Sequence, residues 1–437
     1  MVRWLITCAA LPALLSLSAA AGAQEASPRI IGGDDASQNE WPWMVQVNVR
    51  FRDTGSGGLC GGILLSQDWV VTAAHCLVSD LGNVVNRNDV EVLVGSVFLD
   101  GGASYNIDGF GIPGNYNPDN FNNDIAILRL ANPGPALSNW PSIVGSDQLT
   151  ELELAPFAQR DEALTATGWG VTSRNQVEPQ PADRLQEVAL DYIQTGSCKN
   201  AWGEGFNTAT MVCAAELNPV QGRDQDTCSG DSGGPLFIGD DIDPYVIGLT
   251  SFGQPQCAGN LPTVYTSVLS QVSFVEEVTT EAGQPLVDLA LELPEGLRYY
   301  AVPGDTASFD LIFANRSLSN TVNNSRLTVQ DGSLNITVDG SNCLISCYQE
   351  ASLPAQTART LPVTASRSFS SEPSIESFTF NTDATEEEYR AKNNRQEISV
   401  IFSDAADLAV DASILSSGIN NAGEGTAEVA VTVRNLT

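Results

Sequence analysis

The chain has 437 residues, 42% of them apolar, and a formal net charge of −33 at pH 7. Only Lys199 and Lys392 are lysines among its 20 basic residues, which argues against a nucleic-acid partner, because phosphate binding needs clustered Lys and Arg. The length allows more than one domain, and the acidic balance describes a soluble, solvated surface.

In chain order, residues 1–23 read as an export signal. Arg3 gives a positive start, "WLITCAALPALLSL" gives an apolar run, and "AGA" at 21–23 offers a small-residue cleavage site before Gln24. The run is too short and too early to span a bilayer, so the mature protein is expected to be secreted. From Ile30 to about Thr280 short apolar stretches alternate with Gly, Asn, Asp and Pro. "WMVQVNV" at 43–49, "GGILLS" at 61–66, "VEVLVG" at 90–95, "DIAILRL" at 124–130 and "YVIGLTSFG" at 245–253 read as strands of a sandwich or of barrels. "VLSQVSFVEEV" at 268–278 differs, because Val268, Val272, Val275 and Val278 recur at helical spacing and predict a terminal helix.

After Gly283 the texture turns to Ser, Thr and Asn. "VDLALEL…PGDTASFDLIFANRS" at 287–317 resembles "ADLAVDASIL…AGEGTAEVAVTVRNLT" at 406–437, with Asp288 matching Asp407 and Asn315 matching Asn435. This internal repeat places one module at 287–404 and a partial second copy at 406–437, whose open sheet edges need a partner. Glycosylation sequons stand at Asn315, Asn323, Asn335 and Asn435.

Of nine cysteines, Cys8 belongs to the signal, which leaves Cys60, Cys76, Cys198, Cys213, Cys228, Cys257, Cys343 and Cys347. An even count in an exported chain predicts disulfides. A zinc site is disfavoured by a single histidine and no CxxC pair, so neither metal nor any other cofactor is expected.

The chemistry sits in three short stretches. "VTAAHC" at 71–76 holds the only histidine, His75, beside Cys76. "NNDIAIL" at 122–128 places Asp124 at the start of an apolar strand, and "QDTCSGDSGGP" at 225–235 sets Ser232 among glycines. Each alone is a core residue, a turn residue or a tight turn. Together they supply a nucleophile, a base and an orienter.

With "RIIGG", "GWG" at 168–170 and "SFG" added, residues 30 to about 280 resemble trypsin-type, chymotrypsin-fold serine proteases. The resemblance implies an all-β fold of two six-stranded antiparallel β-barrels with a C-terminal helix over 30–281. It implies an endopeptidase whose catalytic residues are His75, Asp124 and Ser232. It gives the oxyanion hole to the amides of Gly230 and Ser232. It makes residues 24–29 an activation propeptide cut after Arg29, so that the new ammonium of Ile30 pairs with Asp231. Asp226 is implied at the base of a pocket for Arg or Lys, with Thr227 adding a hydroxyl and Gly253 leaving one wall open. Ser251 is implied behind Asp124. Thr263 departs from the glycine usual in "PGVY" and narrows the slot, which keeps small-residue specificity as the alternative. The implied disulfides are Cys60–Cys76, Cys198–Cys213 and Cys228–Cys257. The loop "SVFLDGGASYN" offers only Asp100, so no calcium site is expected there.

Residues 287–404 resemble the immunoglobulin-like β-sandwich repeats of bacterial exported proteins, and Cys343 and Cys347 would clip a loop. The module is expected to be a passive spacer or to bind a cell-surface ligand. The partners implied for the whole chain are protein or peptide substrates and an activating protease, or a second copy acting on itself. A catalytically silent binding protein or adhesin on the same fold is the competing reading.

Overall fold

The computed structural model describes residues 30–437 apart from 173–179, 219–224, 241–243, 295, 302–304, 331–333, 368–373, 404–407, 420–424 and 436–437, with side chains described up to residue 403 except at position 391. The export signal and Arg29 lie outside the described residues. Two closed antiparallel barrels form residues 30–267. The first contains β1 (Met44–Arg50), β2 (Gly57–Leu64), β3 (Trp69–Thr72), β4 (Val90–Val94), β5 (Ala103–Gly111) and β6 (Ala126–Leu130). It closes in the order β1-β2-β3-β6-β5-β4. β-Branched residues fill it, because they pack well on a pleated surface: Val45, Val47, Ile63, Val71, Val92 and Ile127 are all inaccessible to solvent.

The second barrel contains β7 (Leu164–Gly168), β8 (Gln186–Ile193), β9 (Met211–Ala215), β10 (Pro235–Ile238), β11 (Tyr245–Phe252) and β12 (Thr263–Ser267). Its order is β7-β8-β9-β12-β11-β10, with β10 returning to β7. Closing both sheets removes the unpaired edges that would template association. Ile30 is buried in the second barrel's core with Leu164, Ala166 and Val188.

The terminal helix runs Val272–Glu281 after a 3-10 turn at Leu269–Gln271. Val268, Val272 and Val275 are buried as the valine spacing predicts, but so are Glu276 and Thr279. Glu276 is fully inaccessible. Its Oε1 accepts from the Leu318 amide and the Tyr389 hydroxyl, each at 2.8 Å. Its Oε2 accepts from the Ser319 amide at 2.8 Å and hydroxyl at 2.7 Å. All these donors belong to the following module.

Among the described residues, that module holds two five-stranded sheets and a parallel pair, Leu286–Val287 with Glu387–Glu388. One runs in the order Leu289–Glu292, Thr306–Asn315, Thr357–Arg367, Leu334–Val338, Ser341–Cys343. The other runs Arg298–Ala301, Arg395–Phe402, Ser374–Asp383, Val322–Gln330, Ser346–Leu353. Phe309, Phe313, Phe378, Phe380 and Val400 share its core. Strands Leu408–Ile419 and Gly425–Asn435 pair antiparallel with each other. The sequon at Asn315 falls inside the module: Asn315 is fully buried, and its Nδ2 donates to the carbonyls of Asn320 and Leu353 at 2.8 Å, so this nitrogen is closed to a glycan.

Arg390 adds a second clamp between the module and the barrels. It donates to the carbonyls of Ile143 and Val144 and to Asp288 Oδ2, at 2.9–3.1 Å. The Ile143 amide in turn donates to the Tyr389 carbonyl at 2.9 Å. Glu276→Ala strands four donors at this junction, and unsatisfied buried donors are costly. The whole chain is expected to lose about 3 kcal/mol in denaturant melts. An unchanged midpoint would show that the junction contributes nothing to stability.

Candidate active site

His75 sits in the 3-10 turn Ala74–Leu77 that follows β3. Cys76 beside it is bonded to Cys60 on β2, which pins this turn to the barrel wall. Next to Cys60, the Gly61 amide donates to the Ser232 carbonyl at 2.8 Å, so one strand ties the histidine turn to the serine loop. Asp124 lies just before β6, in a loop where Phe121 (φ 55°) and Asn123 (φ 57°) adopt left-handed conformations. Asn123 holds that loop by donating to the Asn115 carbonyl and accepting from Gln271, both at 3.1 Å.

Asp124 is fully buried. Its Oδ1 accepts from the His75 amide at 2.9 Å, and its Oδ2 lies 2.7 Å from His75 Nδ1. The Ser251 hydroxyl donates to the same Oδ2 at 2.5 Å. Burial disfavours a charged His75 ring, but the charge of Asp124 and its hydrogen bond outweigh that, and the histidine pKa is raised overall. Nδ1 faces a buried acceptor, which favours the tautomer that leaves Nε2 able to take a proton.

Ser232 lies in the turn between Gly230 (φ 100°) and Gly233 (φ 76°), ahead of β10. A side chain at Gly230 would be strained by that φ and would bring its Cβ 3.0 Å from Gly170 Cα. Among the described residues, no carbonyl accepts the amides of Gly230 or Ser232. Ser232 opens on a cavity of about 300 Å³ lined also by Phe121, Thr227, Ser251, Gly253 and Thr263. Cys228 and Cys257, bonded to each other, form part of its wall. An aromatic row borders it: His75 meets Phe121 edge-on, Phe121 stacks on Phe252 at 5.4 Å, and Trp202 meets Phe252 edge-on.

Asp226 is not among the residues lining this cavity, whereas Thr263, itself buried, is one of them. Thr227 Oγ1 lies 3.1 Å from the Tyr265 hydroxyl. Asp231 is fully buried, accepting from the Gly170 amide at 2.7 Å and the Cys228 amide at 2.8 Å. Burial outweighs these bonds and pushes its pKa up to about 7. A Cβ on either Gly168 or Gly170 would collide with its carboxyl group, so "GWG" makes the cradle for Asp231. The cradle's signal was that motif, but nothing in it names the distant acid it accommodates. Cys198–Cys213 and Cys343–Cys347 are bonded as well. Among the described residues, the one close group of metal-ligand types is Cys60, His75 and Cys76, and its two sulfurs are bonded to each other.

Two closed six-stranded barrels carrying this serine loop and histidine turn define the class: a chymotrypsin-fold serine protease. A family model described as Trypsin matches residues 30–275, more than half of the chain. The chain belongs to the trypsin family, and its substrates are proteins or peptides. No helix among the described residues is long and apolar enough to cross a membrane.

Proposed function

We propose that the protein is a secreted endopeptidase, made as a zymogen, that hydrolyses bonds after basic residues. The observation that carries this reading is the buried Asp124 held between the His75 ring and the hydroxyl of Ser251, which lines the same cavity as Ser232. Ser232 Oγ attacks the scissile carbonyl carbon while His75 Nε2 takes its proton. The negative oxygen that forms is held by the amides of Gly230 and Ser232. His75 then gives the proton to the leaving amine, the C–N bond breaks, and an acyl-Ser232 remains. Water repeats the sequence, with His75 as base, and frees the acid. Asp124 positions His75 and stabilises its charged form.

Asp226 supplies negative charge behind the pocket and draws Arg or Lys into it. Cleavage after Arg29 frees the Ile30 ammonium, which pairs with Asp231 and orders the serine loop. The activating agent is another protease or a second copy of this one. The export signal directs the chain out of the cytoplasm. We read the tail as an immunoglobulin-like module that serves as a spacer or takes a cell-surface ligand.

A fluorophosphonate tests this directly. The processed protein is expected to label at Ser232, and labelling and peptide hydrolysis should disappear together in Ser232→Ala. Full hydrolysis by the alanine variant would overturn the reading and favour a binding protein on this fold.

A further inference from the structure

We infer that Thr263 makes the pocket select lysine over arginine, an inference that rests on the endopeptidase reading above. Asp226 is only 4% exposed. Its Oδ1 accepts two hydrogen bonds, from the Thr227 amide at 2.9 Å and from Thr263 Oγ1 at 2.8 Å. Its Oδ2 accepts from the Ala258 amide at 2.6 Å. A carboxylate oxygen has two lone pairs, so Oδ1 is filled by the protein itself.

Thr263 also reaches across the slot. A Cβ placed on Gly253 would lie 2.9 Å from Thr263 Oγ1, so the floor of the pocket is raised where a glycine would leave it open. The cavity therefore meets the Thr263 hydroxyl before it meets Asp226.

The two basic side chains respond differently. Guanidinium recognises carboxylate through a planar fork, two parallel bonds to two oxygens on one edge. With Oδ1 filled and Thr263 in front, that edge is closed to a fork. Ammonium is a compact point charge with three rotatable donors on a shorter reach. It can donate to the lone pairs of Thr263 Oγ1, whose own hydrogen already points at Asp226. Asp226 then attracts the charge through the threonine, and Thr227 Oγ1 stands in the same wall as a further acceptor.

The test compares kcat/KM on matched peptides ending in Lys, Arg or Ala, using the full processed protein, with a fluorophosphonate counting active molecules. Lys is expected to lead Arg by about tenfold, the scale of one charge-assisted hydrogen bond. Thr263→Gly should lower the floor and bring Arg level with Lys or above it. Thr263→Ser keeps the hydroxyl and should keep the lysine preference, which separates loss of the relay from loss of folding. Arg equal to or ahead of Lys in the unaltered protein overturns the inference while leaving the endopeptidase reading intact. So does a Lys:Arg ratio unmoved by Thr263→Gly. Preference for Ala that survives Asp226→Ser overturns the basic pocket altogether. Absence of both labelling and turnover overturns the endopeptidase reading and this inference with it.

Discussion

Replacing Asp124 by asparagine is expected to lower kcat by about 10⁴-fold while the chain still folds. Asparagine fits the same space, so the loss should come from chemistry. An amide presents one oxygen and one NH2 where Asp124 presents two acceptors to three donors: the His75 amide, the His75 ring and Ser251. If the NH2 faces Nδ1, that nitrogen must become the acceptor, and Nε2 then carries the proton it should be free to take. The pH profile gives a second reading of the same change. His75 must be neutral to act as a base, so activity rises as pH passes its pKa. In the unaltered protein that limb lies above the ordinary histidine value, because the charge of Asp124 overcomes burial. Removing the charge should move the limb to lower pH. A loss below tenfold with an unmoved limb would exclude Asp124 from this role.

Arg29→Gln is expected to yield a secreted but inactive chain. Without cleavage the Ile30 nitrogen stays a neutral amide, and Asp231 has no ammonium to meet. Burial then holds its pKa near 7, against about 4 in an unfolded chain. The folded state binds the proton more tightly, so this contribution to stability is fully present below about pH 4 and is lost as pH rises toward 7. The loss amounts to ~4 kcal/mol at most. The cleaved protein, with a cation beside Asp231, should lack this decline. N-terminal sequencing, active-site labelling and urea melts across pH 4 to 8 follow all three effects. Full activity in an unprocessed Arg29→Gln chain would refute the zymogen.

What could be read from the sequence was whatever repeats locally or matches a motif. Period-two runs such as "VEVLVG" and "DIAILRL" became β4 and β6, and the valine spacing at 268–275 became a buried helix face. The motif resemblance also paired six cysteines as the structure bonds them. Glu276 could not be read in this way. A glutamate in an apolar stripe looks like an exposed edge, and its four donors lie 42 to 113 residues later. Phe121 was likewise silent, since its contact with His75 depends on a loop conformation. Thr263 is visible as a departure from glycine, but not its direct bond to Asp226, which needs the start of β12 brought against the loop before Ser232.

The buried Glu276 also sets an order of events. A chain made N-terminus first delivers the terminal helix before Leu318, Ser319 and Tyr389 have emerged. Until Tyr389 follows, the carboxylate lacks one of its four donors, and the helix, whose Val272 and Val275 join the first barrel's core, is incompletely held. A chain cut short before residue 389, by a stalled ribosome or a nick in transit, lacks the hydroxyl that completes the junction. The tail thus completes the hydrogen bonding of the helix that precedes it, which a tether without these donors would leave open.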